Sequence, residues 1–258
     1  MDLNLRGKVA LVCGGSKGIG LACATALRAE GVKVAICARD QAHIDAALAG
    51  LPGAVGFAAD LSDPMAAANM VSAVSHALGP VDILVNSAGA AKRTPAPELS
   101  PAAWRAAMDA KYFTTINVID PVVKAMAARG SGVIVNIIGN GGKIASPVHI
   151  AGGAANAALM LATAGLGAAY AGQGVRVVGL NPGLTETGRV AEGLGATARA
   201  AGISIEVARA ESIARIPMGR MAKPTEIASA MLFLVSDHAS YITAVTISMD
   251  GAQSPAVV

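Results

Sequence analysis

The sequence predicts a single-domain, doubly wound α/β fold: a parallel sheet of about seven strands with helices on both faces. Three observations carry this reading. Short apolar runs alternate with helical stretches along the whole chain, the first run ends in a glycine-rich turn, and no repeat, low-complexity segment or linker divides the 258 residues. Strands so short and apolar, separated by helices, belong to a parallel sheet covered on both sides. Hydrophobic residues make up 53% and charged residues 14%, which points to much buried surface, some of it between subunits. The length suffices for one large α/β domain with a substantial core.

The elements follow in order. Residues 9–13 (VALVC) form the first strand and 21–29 a helix. A second strand at 32–38 precedes a helix at 40–48, and a third strand at 54–59 is ended by Asp60. A helix at 64–78 leads to a fourth strand at 81–85. Residues 101–129 are helical, with Pro121 as a kink or join. The fifth strand is 133–138, followed by a helix at 148–171 and the sixth strand at 175–180. A loop region with its own helical pieces runs to about 217, then come a helix at 224–235 and a last strand at 244–249. Ligands of such a sheet bind at the carboxyl ends of its strands.

Composition also excludes partners. A net charge of +3 is too small to argue for nucleic acid. Cys13, Cys23 and Cys37 are odd in number and sit in apolar runs, which predicts a reduced, cytoplasmic protein. Asp2, Arg6 and Lys8 precede the first strand without the long apolar core of a signal peptide. The stretch 144–175 has no charged residue, yet it is mainly Ala and Gly with His149, Asn156 and Gln173 inside it. It reads as a buried helix packed closely on another helix, not a membrane span.

Between the first strand and its helix, Gly14, Gly18 and Gly20 form a G-x-x-x-G-x-G turn with Ser16, Lys17 and Ile19. A glycine-rich turn that opens a helix lets the backbone approach a pyrophosphate, while the helix N-terminus offers free N–H groups. Glycines also serve plain turns, but this stretch follows a strand and opens a helix, as a phosphate-binding turn requires. Arg39 follows the second strand, where an NAD-binding site carries an acid for the ribose hydroxyls. Lys17 and Arg39 suit a 2′-phosphate instead, with no acid beside them to compete, and predict NADP, NADPH bound more tightly than NADH. The plainer alternative is two solvated cations.

The chain resembles the short-chain dehydrogenase/reductase family over almost its full length. CGGSKGIG is similar to the family's TGxxxGxG turn, with Cys13 where Thr is usual, and Asp60-Leu61 to its adenine-contacting pair. NSAG (residues 86–89) resembles its NNAG strand end, placing Asn86, Ala88 and Gly89 at the cofactor. NPGLTET (residues 181–187) is similar to the PGxxxT segment that contacts the nicotinamide, which implies Pro182, Gly183, Thr185 and Thr187 there. The C-terminal IPMGRMAKPTEIASAMLFLVSD and ITAVTISMDG fit as well. The resemblance implies hydride transfer between NAD(P) and a small-molecule alcohol or ketone. It also implies a Tyr acid/base, a Lys that lowers the Tyr pKa, a Ser on the substrate oxygen and an Asn on a relay water.

This chain departs from that set. Gly139 aligns with the Ser, Gly152 with the Tyr, Asn156 with the Lys, and Lys111 with the Asn. Lys and Asn are thus exchanged between two positions that the resemblance places face to face beneath the nicotinamide ribose. The expectation is that Lys111 bonds Asn156 or the ribose hydroxyls, against a Lys111 turned out to solvent. His149 is a candidate substitute acid/base, or a polar residue at a loop–helix junction. Asn140, Lys143 and Ser146 are candidate substrate contacts or ordinary loop residues. Met108, Met160 and Met218 read as packing, with Met218 toward the substrate side.

The first functional reading is an NADP-dependent oxidoreductase with an atypical active site. Its alternatives are a catalytically silent NADP-binding sensor or partner subunit, and a lyase or isomerase on this fold. The Ala/Gly-rich helix at 148–171 offers a smooth packing face, and the resemblance implies a homotetramer built through it.

Overall fold

The computed structural model describes residues 2–89, 91, 92, 94, 96–147 and 149–255. Seven strands form one parallel sheet: β1 (Val9–Cys13), β2 (Lys33–Ala38), β3 (Val55–Ala58), β4 (Ile83–Asn86), β5 (Gly132–Ile137), β6 (Val175–Pro182) and β7 (Thr246–Met249). Their order is β3-β2-β1-β4-β5-β6-β7. The order reverses between β1 and β4, and a crevice opens at the carboxyl ends of that pair.

The strands alternate between two cores. Ala10, Val12, Val34, Ile36, Val135 and Val178 pack under α1 (Gly18–Ala29) and under the last helix, Pro224–Val235. Leu11, Cys13, Ala35, Leu84, Ile134 and Val177 face the opposite side. α2 (Gln41–Leu48) joins the first of these cores through Ile44 and Ala47, and α3 (Pro64–Leu78) supplies Ala67, Met70 and Val74 to the second. The central strands are thus largely apolar on both faces, which is why no polar alternation marks them in the sequence.

The expected helix at 101–129 is interrupted, but not at Pro121. It divides into α4 (Pro101–Met108), a π-helical turn (Asp109–Phe113) and α5 (Thr114–Arg129), and Pro121 lies inside α5. α6 spans Ile150–Tyr170, with His149 as its N-cap; residue 148, the expected start, lies outside the described residues. α6 is long and apolar enough to cross a membrane by composition. One face, with Ala151, Ala155, Leu159, Thr163 and Gly167, is buried, and Gly167 is close enough to Ala244 that a Cβ would lie 2.6 Å from its backbone nitrogen. The other face is open, with Leu161 77% exposed, so the helix is half-buried in this chain instead of enclosed.

The helical pieces after β6 are α7 (Gly188–Ala201) and α8 (Ile205–Ala214), followed by α9 (Pro224–Val235). Leu194, Ile216 and Met221 form a small separate core beneath α7 and α8.

Across the sheet, Cys37, Cys13, Asn86, Asn136 and Gly179 are in register. Neighbouring parallel strands therefore set Asn86 beside Asn136, and the Asn86 amide donates to Asn136 Oδ1 at 2.9 Å. The Asn136 amide donates in turn to Thr163 Oγ1 of α6 at 2.9 Å, and that hydroxyl to the Leu159 carbonyl at 2.7 Å. All are buried. Asn136→Ala should strand the Asn86 amide in the interior, while the Thr163 hydroxyl keeps its bond to the Leu159 carbonyl. At about 1–3 kcal/mol for a buried group left unpaired, the expected loss is about 1–3 kcal/mol by urea denaturation. A loss within error of zero would contradict this.

Candidate active site

The turn after β1 carries the backbone geometry of a phosphate cradle. Gly14 has φ +74, and a Cβ there would lie 2.8 Å from the Ser87 carbonyl oxygen and the Ala88 nitrogen. Gly20 has no space either, since a Cβ would run into the Gly14 carbonyl. Gly18, at φ +54, faces the Thr187 methyl, 3.3 Å from a built Cβ. α1 starts at Gly18, earlier than the sequence places it, from an extended Lys17 that makes no side-chain cap. No acid stands in its first turn. The N–H groups of that turn thus face the crevice with no carboxylate in competition, an arrangement that fits a dinucleotide pyrophosphate.

The other expected cofactor residues divide by where their side chains go. Asp60 is exposed beyond β3. The Ser62 N–H and hydroxyl donate to it at 3.0 and 2.8 Å and hold its carboxyl below the usual range, with a smaller contribution from Arg39. Leu61 is buried beneath it. The Asn117 amide, which sequence reasoning missed, pins this turn by donating to the Leu61 and Ser62 carbonyls at 3.0 and 3.1 Å. Thr187 caps α7, and its hydroxyl accepts from the Val190 N–H. Thr185 is buried and donates to the Gly183 carbonyl at 3.2 Å, so it shapes the turn after Pro182. The Asn86 amide is committed to Asn136, inside the sheet.

One premise of the cofactor reading is corrected. Acids do stand near Lys17 and Arg39: Arg39 interacts electrostatically with Asp60, and Asp40 caps α2 beside His43. The Lys17 ammonium lies 2.7 Å from His43 Nε2.

The positions that the sequence aligns with the family's catalytic set gather around the end of β5. Gly89, at φ +95, packs so tightly on the π-helical turn that a Cβ would meet the Ala110 carbonyl and lie 3.2 Å from Lys111 Cα. π-helical turns recur at functional sites. Here the turn directs Lys111 to the end of β5, where its ammonium donates to the Ile137 carbonyl at 3.4 Å. Burial, and secondarily the like charge of Arg189, lowers its pKa to about 8. Asn156 is buried on α6, its Nδ2 about the slender loop after β5, 3.6 Å from a Cβ built on Gly139 and 3.5 Å from one on Gly141. The expected Lys111–Asn156 hydrogen bond is absent, because Lys111 is held by the strand carbonyl; Asn156 Oδ1 has no partner among the described residues. Neither does Lys111 swing out to solvent.

His149 lies between Gly152 and Gly141. A Cβ on Gly152 would collide with its imidazole, and one on Gly141 would lie 3.3 Å from Cδ2. Gly139 has φ +113, a conformation that side chains rarely adopt. The loop after β5 is fixed from outside: the Asn140 amide donates to Asp250 Oδ2 at 2.8 Å and to the Ser254 hydroxyl, and Lys143 to the Ser248 hydroxyl at 3.1 Å. Asn140 and Lys143 therefore hold the C-terminal segment, a role the sequence did not signal.

A seven-stranded Rossmann sheet with a glycine cradle at its switch point defines a dinucleotide-binding protein. The chain belongs to the short-chain dehydrogenase/reductase family: a family model described as Enoyl-(Acyl carrier protein) reductase matches residues 14–252. It is 35% identical to D-threitol dehydrogenase of Mycolicibacterium smegmatis over 97% of this chain and 94% of that protein. It is 34% identical to 2-(S)-hydroxypropyl-CoM dehydrogenase 3 of Xanthobacter autotrophicus over 98% and 99%. Among solved structures, an actinorhodin polyketide ketoreductase with NADPH superposes with TM-score 0.92 at 32% identity, covering 95% of this chain and 97% of that one. L-sorbose reductase from Gluconobacter frateurii, complexed with NADPH and L-sorbose, gives TM-score 0.90 at 27% identity over 97% and 98%.

Lys111, half-buried with its ammonium at a strand carbonyl, sets a pH dependence. Below about pH 8 it is charged in both native and unfolded states, and the fold bears the full cost of burying the ammonium. Between about 8 and the unfolded lysine value near 10.4, the native state releases a proton that the unfolded chain keeps, so stability rises with pH. Lys111→Met should remove that rise, so that the variant gains less stability than the wild type between about pH 7 and pH 10. Urea denaturation of both proteins at pH 7 and 10 measures it; parallel pH responses would refute it.

Proposed function

We propose that this protein is an NADP(H)-dependent oxidoreductase that interconverts a ketone and an alcohol with an atypical acid/base set: His149, Lys111 and Asn156. The observation that carries this is the place of His149, whose ring fills the volume where a side chain on Gly152 would begin. When bound, the nicotinamide supplies or accepts the hydride. His149 holds the proton at a ring nitrogen and exchanges it with the substrate oxygen. Lys111 holds a second proton at Nζ, with a pKa of about 8 that makes it a usable donor near neutrality. Asn156 Oδ1 orients a hydroxyl or water between them. The 184–217 region, with α7 and α8, forms the substrate side, where Leu184, Ile216, Met218 and Met249 line a cavity of about 160 Å³.

The cofactor preference rests on Lys17 and Arg39, both at the open ends of the first two strands. The three cysteines are free and buried, which supports a reducing, cytoplasmic setting. The open face of α6, small except for Leu161, supports a homotetramer; light scattering should give four chains at micromolar concentration, and a monomer would rule this out.

The activity test uses purified protein, NADPH and a panel of ketones. Turnover is expected with at least one, and His149→Ala should lower kcat by about 100-fold or more, the usual scale of general acid/base catalysis, while NADPH binding stays unchanged. Intact NADPH binding without any turnover would replace this reading with that of a binding protein.

A further inference from the structure

We propose that His43 is a third ligand of the cofactor 2′-phosphate, beside Lys17 and Arg39, and that it takes up a proton when that phosphate binds. The inference rests on the NADP(H) reading above and names a residue that the glycine turn and Arg39 do not reveal.

Lys17 leaves the glycine turn in an extended conformation (φ −151, ψ 162) and crosses to α2, where its ammonium stands 2.7 Å from His43 Nε2. Two basic side chains thus face each other, and Lys17 makes no ion pair with an acid among the described residues. An ammonium only donates. His43 Nε2 is therefore the acceptor, and the ring proton is on Nδ1, 3.4 Å from Asp40 Oδ2. Asp40 is itself fixed: its Oδ1 accepts from the Ala42 and His43 N–H groups at 2.8 and 3.3 Å. It therefore stays on the helix start and does not reach for a ribose. The remaining charges nearby are Arg39, which interacts with Asp60, and Asp45, which accepts from Gln41 at 2.7 Å. The cluster lies past the carboxyl ends of β1 and β2, where a dinucleotide places its adenine ribose.

A phosphate set between Lys17 and His43 replaces their mutual hydrogen bond. One phosphate oxygen accepts from the Lys17 ammonium. A second needs a donor at His43 Nε2, the nitrogen that faces the Lys17 ammonium as an acceptor. The imidazole supplies it only by taking one proton from solvent, becoming a donor at both nitrogens: Nε2–H to the phosphate, Nδ1–H to Asp40. The Asp40 carboxylate then faces an imidazolium and stabilises it. Histidine is the side chain that makes this change within the physiological range. A dinucleotide with a free 2′-hydroxyl leaves the Lys17–His43 bond in place and takes up no proton.

Calorimetry with adenosine 2′,5′-bisphosphate and 5′-AMP tests this, in two buffers of different ionisation enthalpy at pH 7.5. Wild type should bind the bisphosphate about tenfold or more tightly than 5′-AMP. His43→Ala should lose about fivefold of bisphosphate affinity and none for 5′-AMP. The wild type should take up more protons than His43→Ala, a difference that cancels the phosphate's own titration. His43→Gln, which keeps a donor without titrating, should recover part of the affinity and none of the uptake. No preference in the wild type would overturn the NADP(H) reading itself. A preference that survives His43→Ala undiminished, or equal proton uptake in the two proteins, would overturn the role of His43 alone.

Discussion

The contact on which the crevice depends is between backbones. The turn after β1 lies against the end of β4, with Gly14 touching Ser87 and Ala88, and the start of α1 lies against Gly14 itself. No side chain fits at either contact. Because the sheet order reverses between β1 and β4, this contact lies at the switch point, where the pyrophosphate of a dinucleotide meets main-chain atoms in folds of this kind. A second contact of the same kind, Gly89 against Ala110 and Lys111, ties the end of β4 to the π-helical turn. The cofactor floor and the position of Lys111 are thereby set by one continuous backbone path.

Below that floor the sheet carries polar residues where a parallel sheet is ordinarily apolar. The Asn86–Asn136–Thr163 chain runs from β4 through β5 into α6. It ends on the Leu159 carbonyl, within α6, the helix that also carries Asn156. Register brings these amides together, and hydrogen bonding makes their burial tolerable. The chain fixes the height of α6 against the strand ends, and with it the distance between Asn156 and the loop after β5.

That loop, Gly139-Asn140-Gly141-Gly142, has almost no side chains of its own. Its conformation is imposed by neighbours: His149 and Asn156 from one side, Asp250 and Ser254 from the other. The result is a slender loop with a histidine ring and an amide against it and a half-buried lysine at the end of the strand that leads into it. The three groups are supplied by three separate elements, the π-helical turn, the α6 N-cap and the body of α6.

The fold was legible in the sequence because its causes are local: apolar runs of strand length, a glycine spacing that only a tight turn explains, and helices between. The family motifs likewise singled out Gly14, Gly18, Gly20, Thr187, Lys111, Gly152 and Asn156, all of which the fold brings to the carboxyl side of the sheet. The tertiary structure decided what local patterns leave open. Pro121 sits within a helix, and the break comes at residues 109–113, because the helix yields where Gly89 presses on it. Lys111 bonds a strand carbonyl and not Asn156, a choice between two partners far apart in the chain. Lys17 meets His43, and Arg39 meets Asp60, through side chains that converge only once β1, β2 and β3 lie side by side. Spacing along the chain determined which residues reach the crevice; the direction each side chain takes there depended on packing between elements that the sequence separates.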